Sequence, residues 1–92
     1  MIETRKKPTE AEILLYRQNP KEIVWSWVSS DFELSEDFIR EFKDYVDWNN
    51  IFAYQKLSKE FIIEFAGKIS FNDLMYNTHV SNDVKEFCRM FI

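Results

Sequence analysis

The sequence repeats itself with a period of 23 residues, because residues 34–56 align without gaps on residues 57–79. The first copy contains Leu34, Ser35, Phe38, Ile39, Glu41, Phe42 and Asn49, and the second has Leu57, Ser58, Phe61, Ile62, Glu64, Phe65 and Asn72 at the matching positions. Other pairs keep their chemical character, such as Trp48 with Phe71 and Ile51 with Leu74. A period of this length is typical of stacked supersecondary units that bury their faces against one another.

Each repeat unit has the pattern of two short helices. Ser35 and Ser58 stand at N-cap positions before acidic residues that favour the helix dipole, and Asp47, Ser70 and Ser81 offer further caps. Apolar residues follow Ser35 and Ser58 at positions that share one helix face. We therefore predict an all-α fold of five or six short helices, arranged as helix hairpins that stack with a 23-residue repeat.

The whole chain, residues 1–92, is expected to form a single helical repeat domain. Its units are predicted at approximately 9–33, 34–56, 57–79 and 80–92, with residues 1–7 as a flexible tail. Thr9 and Glu12 match a capping box, and Asn19-Pro20 ends that helix and starts the next. The repeat register before Trp25 stays open, because aligning the caps and aligning the tryptophans give different offsets. The expected core contains Leu14 or Leu15 together with Val28, Phe38, Phe42, Trp48, Ile51, Phe61, Phe65, Phe71, Leu74 and Phe87.

Composition excludes several classes of protein. The hydrophobic content of 46% argues against a disordered chain, and no apolar run approaches the ~18–20 residues that span a bilayer. The single cysteine, Cys88, cannot form an internal disulfide and suits a reducing compartment. We therefore expect a cytoplasmic protein, in the host cell if the chain is viral, without a membrane association.

The net charge of −4 is concentrated in residues 31–47, which we call the acidic segment. Its acids are Asp31, Glu33, Glu36, Asp37, Glu41, Asp44 and Asp47, against Arg40 and Lys43. Either it is a solvated helix face or it binds a basic partner. An isoelectric point of about 5.0 argues against direct nucleic-acid binding, which needs a basic surface.

Groups that could perform chemistry are few. His79 is the only histidine and Cys88 the only cysteine, so these two residues cannot build a structural zinc site. The single glycine, Gly67, excludes a glycine-rich phosphate loop. We predict that the protein is not an enzyme and that it has no catalytic residues, no cofactor and no metal.

The first repeat unit resembles short tandem repeats in proteins of bacteriophages and giant DNA viruses. The resemblance is carried by Leu34, Ser35, Phe38, Ile39, Phe42, Val46, Asp47, Trp48, Ile51, Gln55, Lys56, Leu57 and Ser58. The second unit departs from the pattern, with Ser70-Phe71 in place of Asp-Trp. The resemblance implies a viral origin and a helical scaffold, and it carries over no catalytic residue. The abundance of residues with AT-rich codons suits such an origin.

Two functions fit this sequence. The first is a small phage protein that binds and inhibits a host protein, such as a nucleic-acid-handling bacterial defence complex, in the manner of an anti-CRISPR protein. The second is a self-associating structural or regulatory module that forms a homodimer. Exposed aromatic residues are enriched in binding hot spots, and charges orient encounters. The candidate partner-binding residues are Glu33, Glu36, Asp37, Glu41, Asp44, Tyr54 and Trp27.

Overall fold

The computed structural model describes residues 5–92, and within that range it is all-helical, without a strand. Its seven α-helices are α1 (Glu10–Gln18), α2 (Trp25–Asp31), α3 (Glu36–Glu41), α4 (Trp48–Tyr54), α5 (Lys59–Glu64), α6 (Phe71–Tyr76) and α7 (Asn82–Phe91). Two 3-10 turns, Pro20–Glu22 and Ala66–Lys68, complete the helical elements of the described chain. The all-α prediction is confirmed, but the described residues contain more helices than the five or six expected.

The additional helix arises in the region where the repeat register stayed open. Pro20 begins only a 3-10 turn, and the β-branched Ile23 that follows is extended. The next α-helix therefore starts at Trp25, with no side chain capping its first turn. Trp25 Nε1 donates to the carbonyl of Pro20 (2.7 Å), which holds the 3-10 turn against α2.

Most helices begin at the caps that the sequence predicts. Thr9 and Glu12 form the expected capping box at α1. The hydroxyls of Ser35, Ser58 and Ser81 each accept from the backbone N–H three residues later. The Asp47 carboxylate caps α4 in the same way, whereas the Ser70 side chain makes no capping hydrogen bond at α6. These short helices depend on packing for their stability, because helices of this length are marginal alone in water.

The core lies along a row in which α2 packs against α4 and α4 packs against α6. Its buried residues include Val28, Phe38, Phe42, Ile51, Phe61 and Leu74, as expected, together with Tyr16, Ile39, Phe52, Ile62 and Cys88. Trp48, Phe65 and Phe87 are only half-buried against this cluster. The molecule is flat, with principal extents of 40 × 34 × 18 Å.

Three expected core residues are exposed instead. Leu14 and Leu15 are 52% and 48% exposed, because α1 turns Tyr16 inward, where its ring lies 5.5 Å from that of Trp25. Phe71 is 36% exposed, since it lies at the end of the helix row. Periodicity alone identified the helices but did not show which helix has a neighbour on each side.

Buried amide side chains join successive helices of the row. Gln55 Nε2 donates to the carbonyls of Ser29 (2.8 Å) and Phe32 (2.7 Å), and Gln55 Oε1 accepts from the Leu34 N–H (2.9 Å). Asn77 Nδ2 donates to the carbonyls of Phe52 (2.8 Å) and Gln55 (2.7 Å). The acceptors Ser29 and Phe52 are 23 residues apart, as are Phe32 and Gln55. Side-chain hydrogen bonds therefore recur with the sequence period.

The segment before α1 contacts the helical body. The Glu33 N–H donates to the Lys6 carbonyl (2.9 Å), and Arg5 Nη1 donates to the Ser30 carbonyl (3.2 Å). Residues 5–7 of the expected flexible tail are thus held against the loop after α2, while residues 1–4 lie outside the described range. Among the described residues, no helix is long and apolar enough to cross a bilayer.

Candidate protein-binding surface

Three of the candidate acidic residues form ion pairs on the surface. Glu33 pairs with Lys7 (3.6 Å) and Asp37 with Arg40 (2.9 Å). Glu41 accepts two hydrogen bonds from Arg17, one of them from Nη2 at 2.9 Å. The Arg17 hydrogen bonds lower the pKa of the Glu41 carboxyl. Exposed pairs of this kind stabilise a fold by only ~0–1 kcal/mol each, but they neutralise the charge that a partner would meet.

Glu36 differs from the other acids because it holds the start of α5. Its carboxylate accepts from the Ser58 N–H (2.7 Å) and the Ser58 hydroxyl (3.2 Å), and it also lies 3.9 Å from Arg40. Glu36 was expected to be a free surface residue, but its side chain is only 28% exposed. It connects two repeat units, so this contact accounts for the residue without any partner.

A matched pair of substitutions separates these two roles. We expect Glu36→Ala to lower the free energy of unfolding by about 1–2 kcal/mol, because the Ser58 N–H loses its acceptor. The neighbouring Asp37→Ala should cost less than about 0.5 kcal/mol, because Asp37 is 95% exposed and pairs only on the surface. Urea unfolding followed by circular dichroism measures both values. Equal costs for the two variants would contradict the structural role of Glu36.

Asp44 is the candidate acid that keeps its charge accessible. It lies in the loop after α3, is exposed, and makes no ion pair with any residue in the range 5–92. Asp47, at the end of the acidic segment, uses its carboxylate to cap α4. The structure therefore converts most of the acidic segment into ion pairs and caps, and leaves it less negative than its composition suggests.

The two aromatic candidates lie on adjacent helices of the row and are exposed. Trp27 on α2 is 52% exposed, and its ring packs edge-on against Phe32 with centroids 5.0 Å apart. Tyr54 is the last residue of α4 and is 39% exposed. Its ring meets that of Tyr76, the last residue of α6, edge-on at 6.4 Å. We call Trp27, Tyr54 and Tyr76 the aromatic edge.

Tyr76 is 70% exposed and was missed as a candidate from the sequence. The signal was present, because Tyr76 lies two residues beyond Leu74, and positions two apart on a helix point in different directions. Leu74 is fully buried, so Tyr76 is turned away from the core. The same reasoning that selects Tyr54 beside Phe52 also selects Tyr76.

Open clefts border the aromatic edge and share Arg5. One, of about 690 Å³, is lined by Trp27, Ser30 and Asp31 together with residues 5–7. Another, of about 290 Å³, lies between Arg5, Tyr54 and His79. Glu33 and Glu36 line a third, again with Arg5 and His79. The structure thus brings Trp27, Tyr54, Glu33 and Glu36 around Arg5, while Asp37 and Glu41 lie on α3 beside Arg40 and Arg17.

The potential chemical groups are placed apart from any reactive arrangement. Cys88 is fully buried in α7, and burial raises the pKa of its thiol, whereas a nucleophilic cysteine needs a lowered pKa. His79 is exposed, and its backbone N–H donates to the Asn77 side-chain oxygen (2.6 Å). Across residues 5–92, no three residues of types that ligate metals lie together.

Comparisons with known proteins do not place the chain in a family. No protein-family model matches the sequence, no curated protein shows significant similarity to it, and no solved structure matches significantly. The argument for function therefore depends on the surface described above.

Proposed function

We propose that this chain is a small protein-interaction protein that binds its partner through the aromatic edge. The observation that supports this is the exposure of Trp27, Tyr54 and Tyr76 on three successive helices of one row. Tryptophan and tyrosine dominate binding hot spots, because they bury a large area with few rotatable bonds. Within the described residues, the aromatic edge combines such anchors with polar clefts on one surface.

In this proposal, the scaffold is a stack of helix hairpins with a 23-residue repeat. Support comes from contacts that recur at that offset. Trp25 Nε1 donates to the carbonyl of Pro20, and Trp48 Nε1 to that of Lys43. The ion pair of Arg17 with Glu41 likewise has its equivalent in Arg40 with Glu64. Repeat scaffolds of this kind present extended binding surfaces along the stack.

For the partner, we propose a host protein of a virus, and within that class a nucleic-acid-handling defence complex that the chain inhibits. The support is the resemblance of residues 34–58 to viral tandem repeats, together with the acidic composition. Basic surfaces on such complexes attract an acidic protein and orient it during encounter. Asp37 and Asp44 provide the most accessible charge for this purpose, since both are exposed and neither holds the fold together.

Binding to a panel of purified CRISPR effector complexes, with their DNA cleavage measured in parallel, tests this proposal. We expect one complex to be bound and inhibited, and Trp27→Ala or Tyr54→Ala to weaken its binding by about 2 kcal/mol, or roughly 30-fold. Tyr45→Ala is the matched control, because Tyr45 is 41% exposed against 39% for Tyr54 but stacks on Trp25 outside the aromatic edge. Circular dichroism must show that each variant keeps its helical content.

Charge reversal at Asp37 and Asp44 should slow association and reduce its dependence on salt, with a smaller effect on dissociation. Glu36 stays unchanged in this variant, because its loss would disturb α5. The aromatic edge would be the wrong surface if its variants bound as well as the wild type. The proposal of a defence-complex partner would fail if no complex in the panel were bound.

A further inference from the structure

The end of the helix row exposes a group of apolar side chains. Phe71 and Met75 on α6 are 36% and 38% exposed, and Phe91 and Ile92 at the end of α7 are 68% and 39% exposed. We call these four residues the α6–α7 end. A shallow cleft of about 350 Å³ lies among them and is bordered by Arg89. Contiguous apolar surface of this kind marks an interaction site more often than a solvated face.

The 23-residue offset shows how the equivalent residues are covered inside the row. Phe71 and Met75 correspond to Trp48 and Phe52 on α4. Phe52 is fully buried and Trp48 is half-buried, and α4 lies between α2 and α6. The α6–α7 end is therefore a packing surface of the same kind that lacks a covering helix among the described residues.

The backbone at this end is already satisfied, unlike that of an interior unit. Gln55 and Asn77 donate to the carbonyls of Ser29 and Phe52, and the equivalent carbonyl of Met75 accepts from Lys85 Nζ (3.2 Å). A lysine has thus taken the place of the amide that a further unit of the same type would supply. A surface with paired carbonyls and exposed apolar side chains suits burial against another apolar surface that brings no amide donor.

We propose that the α6–α7 end binds the same end of a second copy in a two-fold symmetric dimer. A symmetric interface has to be self-complementary, and this surface offers apolar residues to apolar residues. Glu86 and Arg89, each 63% exposed, supply opposite charges on the same helix. In an antiparallel arrangement of the two α7 helices, Glu86 meets the partner's Arg89, and Arg89 meets the partner's Glu86. This surface is separate from the aromatic edge, so the dimer leaves the proposed partner site open.

Sedimentation velocity of the full chain over a range of concentrations tests the dimer. We expect a reversible monomer–dimer equilibrium, with Phe91→Glu and Met75→Lys each weakening association by roughly 10-fold or more. Val24→Glu is the control, because Val24 is 65% exposed but lies outside α6 and α7. A wild-type protein that stays monomeric at all concentrations overturns the proposal. A ladder of larger species overturns the two-fold form, because head-to-tail contacts do not close.

Cross-linking provides a second test that does not depend on disrupting the interface. Asn72 on α6 and Asn49 on α4 are exposed residues at matching repeat positions, and the native Cys88 is buried. With a flexible bis-maleimide, Asn72→Cys should yield covalent dimers, whereas Asn49→Cys should remain largely monomeric. Equal cross-linking of the two variants, or no cross-linking of Asn72→Cys, would contradict the assigned face.

Discussion

Gln55→Leu is expected to lower the free energy of unfolding by roughly 3–6 kcal/mol, because each polar group left buried without a partner costs ~1–3 kcal/mol. Gln55 is fully buried and makes three hydrogen bonds, to the Leu34 N–H and to the carbonyls of Ser29 and Phe32. Leucine has a similar volume, so the loss comes from the hydrogen bonds and not from a cavity. Domains of this size have a total stability of only ~5–15 kcal/mol. Much of the variant protein should therefore be unfolded at 37 °C.

The matched control is Gln18→Leu in α1. Gln18 is an exposed helical glutamine, so the same substitution should change stability by less than about 0.5 kcal/mol. Urea unfolding followed by circular dichroism gives the midpoint and the slope for the wild type and both variants. If Gln55→Leu unfolded at the same urea concentration as the wild type, the buried amide would not be holding the helices together.

Ile62→Ala should cost about 2–5 kcal/mol, because it removes a fully buried side chain from the core and leaves a cavity. Its neighbour Ile63 provides an unusually close comparison, since both are isoleucines in α5. Ile63 is 47% exposed against 0% for Ile62, so Ile63→Ala should change stability by less than about 0.5 kcal/mol. Both variants gain the same small helix-propensity benefit of alanine, and that benefit cancels between them.

Thermal and urea unfolding of the two alanine variants measure this difference. The placement of α5 depends on Ile62 facing inward, at the position 23 residues after the buried Ile39. Comparable losses at both positions would mean that α5 is rotated about its axis relative to the described packing. A large loss at Ile63 with little at Ile62 would reverse the inward face altogether.

Local features of the fold were predictable from the sequence, because they depend on neighbours along the chain. The caps at Ser35, Ser58 and Ser81 and the capping box of Thr9 with Glu12 are all within three residues of the groups they satisfy. The helical pattern of the apolar residues likewise follows from spacing alone. These signals repeat in successive units, which makes each one easier to recognise.

Features that depend on distant contacts were less accessible. Tyr16, and not Leu14 or Leu15, faces the core because the rings of Trp25, Phe38 and Phe42 surround it. The long-range role of Glu36 at Ser58 could not be separated from that of a solvated acid. The candidate aromatic residues were accessible for a simpler reason, since they lie off the apolar stripes, and that position requires only the helix period.

The amide hydrogen bonds between successive helices constrain how the length of this protein can change. Gln55 and Asn77 reach carbonyls whose positions are offset by 23 residues, Ser29 and Phe52 being one such pair. A gene duplication that inserts one whole period would supply each new helix with the same acceptors and the same apolar stripe. An insertion of any other length inside a unit would separate donors from acceptors. The chain can therefore evolve in steps of a complete unit, and each step would lengthen the exposed face along which the aromatic edge lies.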